Sequence, residues 1–210
     1  MSSATETDFV IDAAPVIPVV VLEDASKAHD LAAALVAGGL PCIEITHRTP
    51  AAMDALAAVA SVEGAIPGVG TVTTPAQMEA AKDRGARFAV SPGHTAALLD
   101  TADALSLPYL PGAATPAEMQ ALMERGYRNL KFFPAEAAGG VAMLKSIGGP
   151  LPQITFCPTG GINLNNARDY LALSNVACIG GSWMAPRDLV EAEAWDEIEA
   201  LARGAAALKA

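Results

Sequence analysis

The 210-residue sequence has little cysteine, and this scarcity excludes two kinds of stabilising site. Cys42, Cys157 and Cys178 are odd in number, far apart and each inside an apolar run. A disulfide framework or a zinc site requires paired or closely spaced ligands, so we expect three buried free thiols in a reducing compartment. The three histidines show no metal-ligand spacing either, and no metal site is expected.

Basic residues and long apolar runs are also scarce. Thirteen Lys and Arg stand against 23 Asp and Glu, and the resulting net charge of −10 argues against nucleic acid or an anionic membrane as the main partner. No apolar run reaches the roughly 18 residues of a membrane helix. The N-terminus lacks the basic-then-apolar order of a signal peptide, so we expect a cytoplasmic protein. An anionic small molecule stays compatible with this charge, because a local nest of donors can bind it.

Hydrophobic residues make up 52% of the chain, which is ample material for a large core. They are concentrated in eight apolar runs bounded by turn residues, whose starts lie 20 to 27 residues apart. That spacing is typical of a repeated strand–loop–helix–loop unit. The predicted strands are Pro15–Leu22, Cys42–His47, Ala65–Val72, Phe88–Pro92, Pro108–Ala113, Asn129–Ala135, Ile154–Gly161 and Val176–Trp183.

A short repeat, Thr-Pro-Ala-x-Met, supports the helices between these strands. It occurs at Thr49–Met53, Thr74–Met78 and Thr115–Met119. Thr is a favoured N-cap and Pro fits the first helical position, so each copy should begin a helix. In the second and third copies, Gln77 and Glu118 complete a capping box with the threonine.

The repeated unit predicts a single-domain (β/α)8 barrel over residues 15–210. Residues 1–14 are expected to form an N-terminal arm or capping segment, and residues 189–209 a closing amphipathic helix. An open doubly wound sheet is the alternative, although no G-x-G-x-x-G follows the first strand. Barrel enzymes carry their active sites at the carboxyl ends of the strands, which is where the Gly/Pro-rich loops cluster.

Lys131 lies in the middle of the apolar run Asn129–Ala135. Burying an ammonium costs several kcal/mol, roughly 2–5, unless a partner compensates for it. Glu44 is flanked by two isoleucines in the second strand, and alternation directs it, like Lys131, to the barrel interior. The pair is interpreted either as an amine nucleophile with a carboxylate for proton transfer, or as a structural ion pair.

Further candidates lie at the carboxyl ends of the predicted strands. Arg48 could hold a carboxylate in a bidentate fork, and Thr71 could donate a hydroxyl to the same group. The turns Thr159-Gly-Gly161 and Gly180-Gly-Ser182 could bind a phosphate on bare N–H groups, although a Gly-Gly pair alone usually indicates only a turn.

Six motifs between Pro15 and Trp183 together resemble the 2-keto-3-deoxy-6-phosphogluconate (KDPG) aldolase family, also described as 4-hydroxy-2-oxoglutarate aldolases. As an ordered set they are highly specific. They are Glu44-Ile-Thr-x-Arg48-Thr-Pro50, Gly68-Val-Gly-Thr-Val72, Ser91-Pro-Gly93, Leu130-Lys-Phe-Phe-Pro-Ala-Glu136, Phe156-Cys-Pro-Thr-Gly-Gly-Ile162 and Gly180-Gly-Ser-Trp183.

The resemblance implies a homotrimeric, cofactor-free class I aldolase that cleaves KDPG to pyruvate and D-glyceraldehyde 3-phosphate. Lys131 would then be the Schiff-base lysine and Glu44 the acid/base, while Arg48 and Thr71 would hold the substrate carboxylate. The remaining residues implied are phosphate-binding Gly160, Gly161, Gly180, Gly181 and Ser182, and site-lining Pro92, Phe133 and Thr159.

Two departures from the family pattern are visible: Gly-Val-Gly replaces the expected Gly-Ala-Gly, and His47 occupies an expected apolar position. Two alternatives stay open at this point. One is an aldolase for the phosphogalactonate epimer or for an unphosphorylated hydroxy-oxo acid. The other is a non-catalytic barrel that binds phosphorylated sugar acids. His47 and His94 are expected only to line the rim of the site.

Overall fold

In a computed structural model, which describes residues 7–209, the described chain contains nine strands, and a helix separates each strand from the next except between the fifth and the sixth. The strands are β1 (Val16–Val20), β2 (Cys42–Thr46), β3 (Ile66–Gly70), β4 (Phe88–Val90), β5 (Tyr109–Leu110), β6 (Gly112–Ala113), β7 (Asn129–Phe132), β8 (Thr155–Pro158) and β9 (Ile179–Gly181). The helices are α1 (Asp8–Ile11), α2 (Ala28–Ala37), α3 (Ala52–Ala60), α4 (Pro75–Asp83), α5 (Ala96–Leu105), α6 (Pro116–Glu124), α7 (Gly140–Ile147), α8 (Ala167–Leu171), α9 (Arg187–Glu191) and α10 (Trp195–Ala206).

The strands form two parallel sheets, with the orders β5-β4-β3-β2-β1-β9 and β6-β7-β8. Isolated bridges join Phe156 to Val176 and Thr159 to Gly180, and only Pro111 separates β5 from β6. The fold is therefore α/β with a curled parallel sheet, and the closed eight-stranded barrel stays a prediction. From β1 to β5 and from β6 to β8, each strand pairs with the next one in sequence. In a doubly wound sheet the strand order reverses beside the first strand, so this order does not match the doubly wound alternative.

Two predicted elements are interrupted, each for a backbone reason. The predicted strand Pro108–Ala113 is divided into β5 and β6 at Pro111, which has no N–H to donate to a neighbouring strand. The prediction of one continuous helix over residues 189–209 was wrong, because α9 and α10 are separated at Glu193. Glu193 has a φ of 56°, which a right-handed helix cannot contain.

The Thr-Pro-Ala-x-Met repeats have different outcomes. In the second and third copies the threonine is the N-cap of α4 or α6 and a capping box is formed, as predicted. In the first copy a helix also begins, because α3 starts at Ala52, but the prediction that Thr49 is its N-cap was wrong, since that position is Ala51. The Thr49 hydroxyl donates instead to the Leu22 carbonyl at 2.5 Å, so this threonine fixes the segment after β1.

The buried apolar residues divide into two clusters on opposite faces of the strands. Ile43 and Ile45 of β2 pack with the helices, as do Leu130 and Phe132 of β7. This confirms the alternation expected for these strands. The smaller cluster lies on the concave side and contains Cys42, Cys157 and Cys178, which are buried, as predicted, and are not joined in disulfides.

Helix α1 packs against the smaller cluster at the amino ends of the strands. Its Val10 and Ile11 are buried there. Asn129, the first residue of β7, donates its side-chain amide to Thr7 Oγ1 at 3.0 Å and to Asp8 Oδ1 at 2.7 Å. Residues 1–6 of the expected N-terminal segment lie outside the described residues. The carboxyl ends of the strands therefore lie on the side away from α1.

Candidate active site

Lys131 lies in β7 on the concave side of the sheet. Its backbone lies between Gly112 of β6 and Cys157 of β8. Only 4% of the residue is exposed, and its Nζ donates to Glu44 Oε1 at 3.2 Å. The ammonium is thus buried and has the carboxylate partner that such burial requires.

Glu44 approaches Lys131 from β2, where its backbone lies between Val19 of β1 and Gly68 of β3. The residue is 3% exposed. Gly70, at the end of β3, leaves the space that the carboxylate fills, because a Cβ there would lie 2.0 Å from Glu44 Oε1. Since both charges are buried, removal of either side chain would leave the other uncompensated.

Arg48 and Thr71 contact each other just beyond the ends of β2, which carries Glu44, and of its neighbour β3. Arg48 Nε donates to Thr71 Oγ1 at 3.0 Å. Thr71 has a φ of 60°, a rare conformation for a β-branched residue. Within residues 7–209 no carboxylate lies within ion-pairing distance of Arg48, which is exposed. Its guanidinium is therefore available to an incoming anion.

The turn after β8 exposes a backbone donor. Gly160 and Gly161 have φ values of 106° and 79°. The Gly160 carbonyl accepts from Glu136 N at 3.1 Å, and the Gly161 carbonyl accepts from the side-chain amides of Asn163 and Asn166 at 3.4 and 3.2 Å. In the described part of the chain the Gly161 N–H has no acceptor, whereas the bridge between Thr159 and Gly180 pairs the Gly160 N–H with the Gly180 carbonyl. A free donor on a fixed turn is suited to an anion.

A second glycine turn lies beside the first, at the end of β9. Thr159 and Gly180 are bridged, and a Cβ on Gly180 would lie 2.3 Å from Thr159 Oγ1. Thr159 Oγ1 is buried and has no hydrogen-bond partner among residues 7–209. Gly181 packs against the Trp183 ring, and the intervening Ser182 is exposed.

Pro92 and Phe133 lie between these features. A Cβ on Gly112, the β6 neighbour of Lys131, would lie 2.3 Å from the Pro92 carbonyl oxygen. The Phe133 ring centroid lies 5.5 Å from Lys131 Nζ. The same ring would lie 3.4 Å from a Cβ on Gly160. Phe133 therefore connects the lysine to the turn after β8.

One family model, described as KDPG and KHG aldolase, matches residues 7–201. The matched span contains every residue of the arrangement above. The chain belongs to the KDPG and KHG aldolase family.

Relatives within this family cover almost the whole chain. The 2-dehydro-3-deoxy-phosphogluconate aldolase of Pseudoalteromonas atlantica is 49% identical over 94% of this chain and 93% of its own length. The KHG/KDPG aldolase of Escherichia coli K12 is 48% identical over 96% of this chain and 95% of its own length. This chain is also similar to a crystal structure of KDPG aldolase from Legionella pneumophila, in which pyruvate was captured at low pH as a covalent carbinolamine intermediate. The TM-score is 0.94 and the sequence identity 44%, and the match covers 97% of this chain and 99% of that chain.

Two histidines lie near the site of this aldolase. His47 is half-buried directly after β2, next to Arg48 in sequence. His94 Nδ1 lies 2.9 Å from the Gly112 carbonyl oxygen, to which it donates because a carbonyl can only accept. That both histidines only line the rim stays a prediction.

Sequence reasoning missed a hydrogen-bond network behind Pro92. Ser91 Oγ donates to the Gly93 carbonyl and accepts from the Tyr109 hydroxyl, each at 2.5 Å. It also accepts from Gly112 N at 3.4 Å. Burial raises the pKa of Tyr109, which keeps its hydroxyl protonated as a donor. The only sequence signal was the motif Ser91-Pro-Gly93.

A second missed contact joins Glu136 to Tyr170. The Tyr170 hydroxyl donates to Glu136 Oε1. Burial, with the neighbouring carboxylate, raises the pKa of Tyr170. Glu136 ends one of the family motifs, but no partner for it could be predicted, because Tyr170 lies 34 residues further along the chain.

Among the described residues no helix combines the length and apolarity needed to cross a membrane. No three His, Cys, Asp or Glu side chains within residues 7–209 are grouped closely enough to hold a metal ion.

Proposed function

We propose that this protein is a class I aldolase that cleaves 2-keto-3-deoxy-6-phosphogluconate to pyruvate and D-glyceraldehyde 3-phosphate, and that it also acts on 4-hydroxy-2-oxoglutarate. The observation that carries the proposal is the buried pair of Lys131 and Glu44, whose Nζ and Oε1 atoms lie 3.2 Å apart. Family membership supports the reaction, and a relative named for both substrates supports the double specificity. The pyruvate carbinolamine in the Legionella enzyme supports a covalent step.

Lys131 passes a proton to Glu44 and, as a free amine, attacks the C2 ketone of the substrate to give a carbinolamine, whose hydroxyl takes this proton back and leaves as water. Loss of water from the carbinolamine gives a protonated imine, which withdraws electrons from C3. Glu44, through a water molecule, removes the proton of the C4 hydroxyl. The C3–C4 bond then breaks, its electron pair forms an enamine, and glyceraldehyde 3-phosphate leaves.

The second half of the reaction regenerates the lysine. Glu44 helps to return a proton to C3 of the enamine, and water hydrolyses the resulting imine to pyruvate and free Lys131. The hydrogen-bonding distance between Glu44 and Lys131 supports this shared role. The protonated imine supplies the electron sink that a metal ion supplies in class II aldolases, so the chemistry requires no cofactor.

Binding of the substrate uses groups on either side of the lysine. Arg48 and Thr71, already joined by a hydrogen bond, hold the carboxylate next to C2. Pro92, Phe133 and Thr159 line the space between. The distal phosphate is bound at the two glycine turns by Gly160, Gly161, Gly180, Gly181 and Ser182.

We also propose that the two observed sheets form one closed (β/α)8 barrel. Two features support closure: the bridges from Phe156 to Val176 and from Thr159 to Gly180 of β9, and the pairing of β9 with β1. Residues 15–210 are then one domain, with residues 1–14 as a capping segment over its amino end. A homotrimer in the cytoplasm completes the proposal. The family resemblance supports the trimer, and the three buried thiols support a reducing compartment.

Trapping of the imine tests the proposal directly. The protein is incubated with pyruvate and borohydride, then digested and analysed by peptide mass spectrometry. We expect a reduced pyruvate adduct on Lys131 and on no other lysine, because only this amine lies beside a buried carboxylate in the site. Replacement of the exposed Lys82 by Met is the matched control and should leave the adduct unchanged, whereas Lys131→Met should abolish it.

The same variants separate the enzyme from a non-catalytic binding barrel. An enzyme loses nearly all turnover on Lys131→Met substitution, whereas a binding protein keeps its affinity for phosphorylated sugar acids. Absence of an adduct on folded wild-type protein at neutral pH would favour the structural ion pair. A faster cleavage of the phosphogalactonate epimer than of KDPG would select the alternative substrate.

A further inference from the structure

The Gly160–Gly161 turn is packed against one acidic side chain. A Cβ on Gly161 would lie 2.6 Å from Glu136 Cγ and 2.8 Å from its Cβ. Glu136 N also donates to the Gly160 carbonyl at 3.1 Å. The side chain and backbone of Glu136 therefore hold the turn together, so a shift of Glu136 would move both glycines.

Glu136 is itself fixed by Tyr170, whose ring is completely buried in α8. The Tyr170 hydroxyl donates to Glu136 Oε1. Both groups also pack against Gly140, at the start of α7, where a Cβ would lie 3.1 Å from the hydroxyl and 3.3 Å from Oε1. Three parts of the chain thus meet at the Glu136 carboxylate: the turn after β7, the start of α7, and α8.

Electrostatics alone would disfavour a carboxylate at this position. A negative charge beside a turn that binds phosphate repels the ligand. Glu136 is exposed, and within residues 7–209 it has no Lys or Arg partner at ion-pairing distance. Its contribution must therefore be geometric, through the packing on Gly161 and the hydrogen bond from Tyr170.

We infer that Glu136 is a positioning residue for the distal phosphate: it holds the Gly160–Gly161 turn in the conformation that presents the Gly161 N–H, and Tyr170 holds Glu136. This inference rests on the proposed function, because it assumes that the turn after β8 binds the phosphate of the substrate. On this inference, Glu136 and Tyr170 help the enzyme to prefer phosphorylated over unphosphorylated hydroxy-oxo acids.

The experiment measures KM and kcat of Glu136→Ala and Tyr170→Phe on KDPG, beside a readout that involves no phosphate. That readout is exchange of the pyruvate C3 protons with deuterium, followed by NMR. We expect KM for KDPG to rise roughly three- to tenfold, the worth of one or two hydrogen bonds, with pyruvate exchange unchanged. The inhibition constant of inorganic phosphate should rise by a similar factor.

Two controls make the result specific. Glu136→Gln keeps an oxygen that can accept from Tyr170 and should keep the wild-type KM or lower it, because the repelling charge is gone. Tyr127→Phe removes a hydroxyl from another fully buried tyrosine and should leave KM for KDPG unchanged.

Three outcomes would overturn the inference. These are equal losses in KDPG cleavage and pyruvate exchange, an unchanged KM in both Glu136→Ala and Tyr170→Phe, or a KM for Glu136→Gln as high as that for Glu136→Ala. Failure of the proposed function itself is distinguishable, because wild-type protein would then not cleave KDPG.

Discussion

Gly70 illustrates how tightly individual residues are fitted around the buried ion pair. A Cβ at this position would lie 2.0 Å from Glu44 Oε1, 2.5 Å from its Cγ and 2.6 Å from its Cδ. Those distances are far inside van der Waals contact, so any larger residue would displace the carboxylate from Lys131. The absence of one side chain on β3 thus determines the position of a charge on β2.

At the scale of single residues, we expect Glu44→Gln to lower kcat on KDPG by about 10²- to 10⁴-fold, because an amide cannot accept the C4 hydroxyl proton. Release of pyruvate measures the rate. The exposed Glu63→Gln is the matched control and should keep full activity. An unchanged rate in Glu44→Gln would remove Glu44 from the mechanism.

At the scale of elements, a threonine of the Thr-Pro-Ala-x-Met motif caps a helix only where no distant residue binds its hydroxyl. The capping box of α6 is complete within five residues: Thr115 Oγ1 accepts from Glu118 N, and Glu118 Oε2 accepts from the N–H groups of Ala114 and Thr115. These backbone donors lower the pKa of Glu118, that of Ala114 most of all. Thr49 does not cap α3 in this way, because its hydroxyl donates to the Leu22 carbonyl.

We expect Thr115→Ala to lower the free energy of unfolding by about 1 kcal/mol, since the N-cap of α6 is lost. Denaturant unfolding followed by circular dichroism measures this change. Thr101→Ala serves as the control, because the Thr101 hydroxyl only donates back to Ala97 within α5, and it should change stability by less than about 0.5 kcal/mol. Equal effects of the two substitutions would contradict the assigned cap.

At the scale of the whole molecule, the curled sheet separates a stabilising end from a reactive end. Helix α1 and its buried Val10 and Ile11 lie at the amino ends of the strands. Arg48, Thr71 and the glycine turns follow the carboxyl ends. Parallel strands make this division, because all of them begin at one edge and end at the other.

We expect Ile11→Ala to lower the free energy of unfolding by about 2–4 kcal/mol, since it removes buried methyl groups, and to leave kcat unchanged. Leu164→Ala deletes the same number of carbons from a residue that is 54% exposed and should lower stability by less than about 0.5 kcal/mol. Thermal or denaturant unfolding, with activity at 25 °C, measures both. A large fall in kcat for Ile11→Ala would contradict the separation of the two ends.

The sequence by itself determined the strand spacing, the two capping boxes, and the alternation that turns Glu44 and Lys131 to one side. These features depend on contacts within a few residues or on a period of two, so they can be read along the chain. The motif order also determined the family, which the comparisons confirmed.

Only the tertiary structure decided the contacts between distant residues. The 3.2 Å ion pair spans 87 residues, the partner of Thr49 is Leu22 in the segment after β1, and the partner of Glu136 is Tyr170 in α8. The break at Glu193 likewise departs from the continuous helix that the apolar pattern predicted. The physical reason is common to these cases: a side chain or a backbone angle adopts the state that packing in three dimensions favours, and neighbours in sequence do not specify that packing.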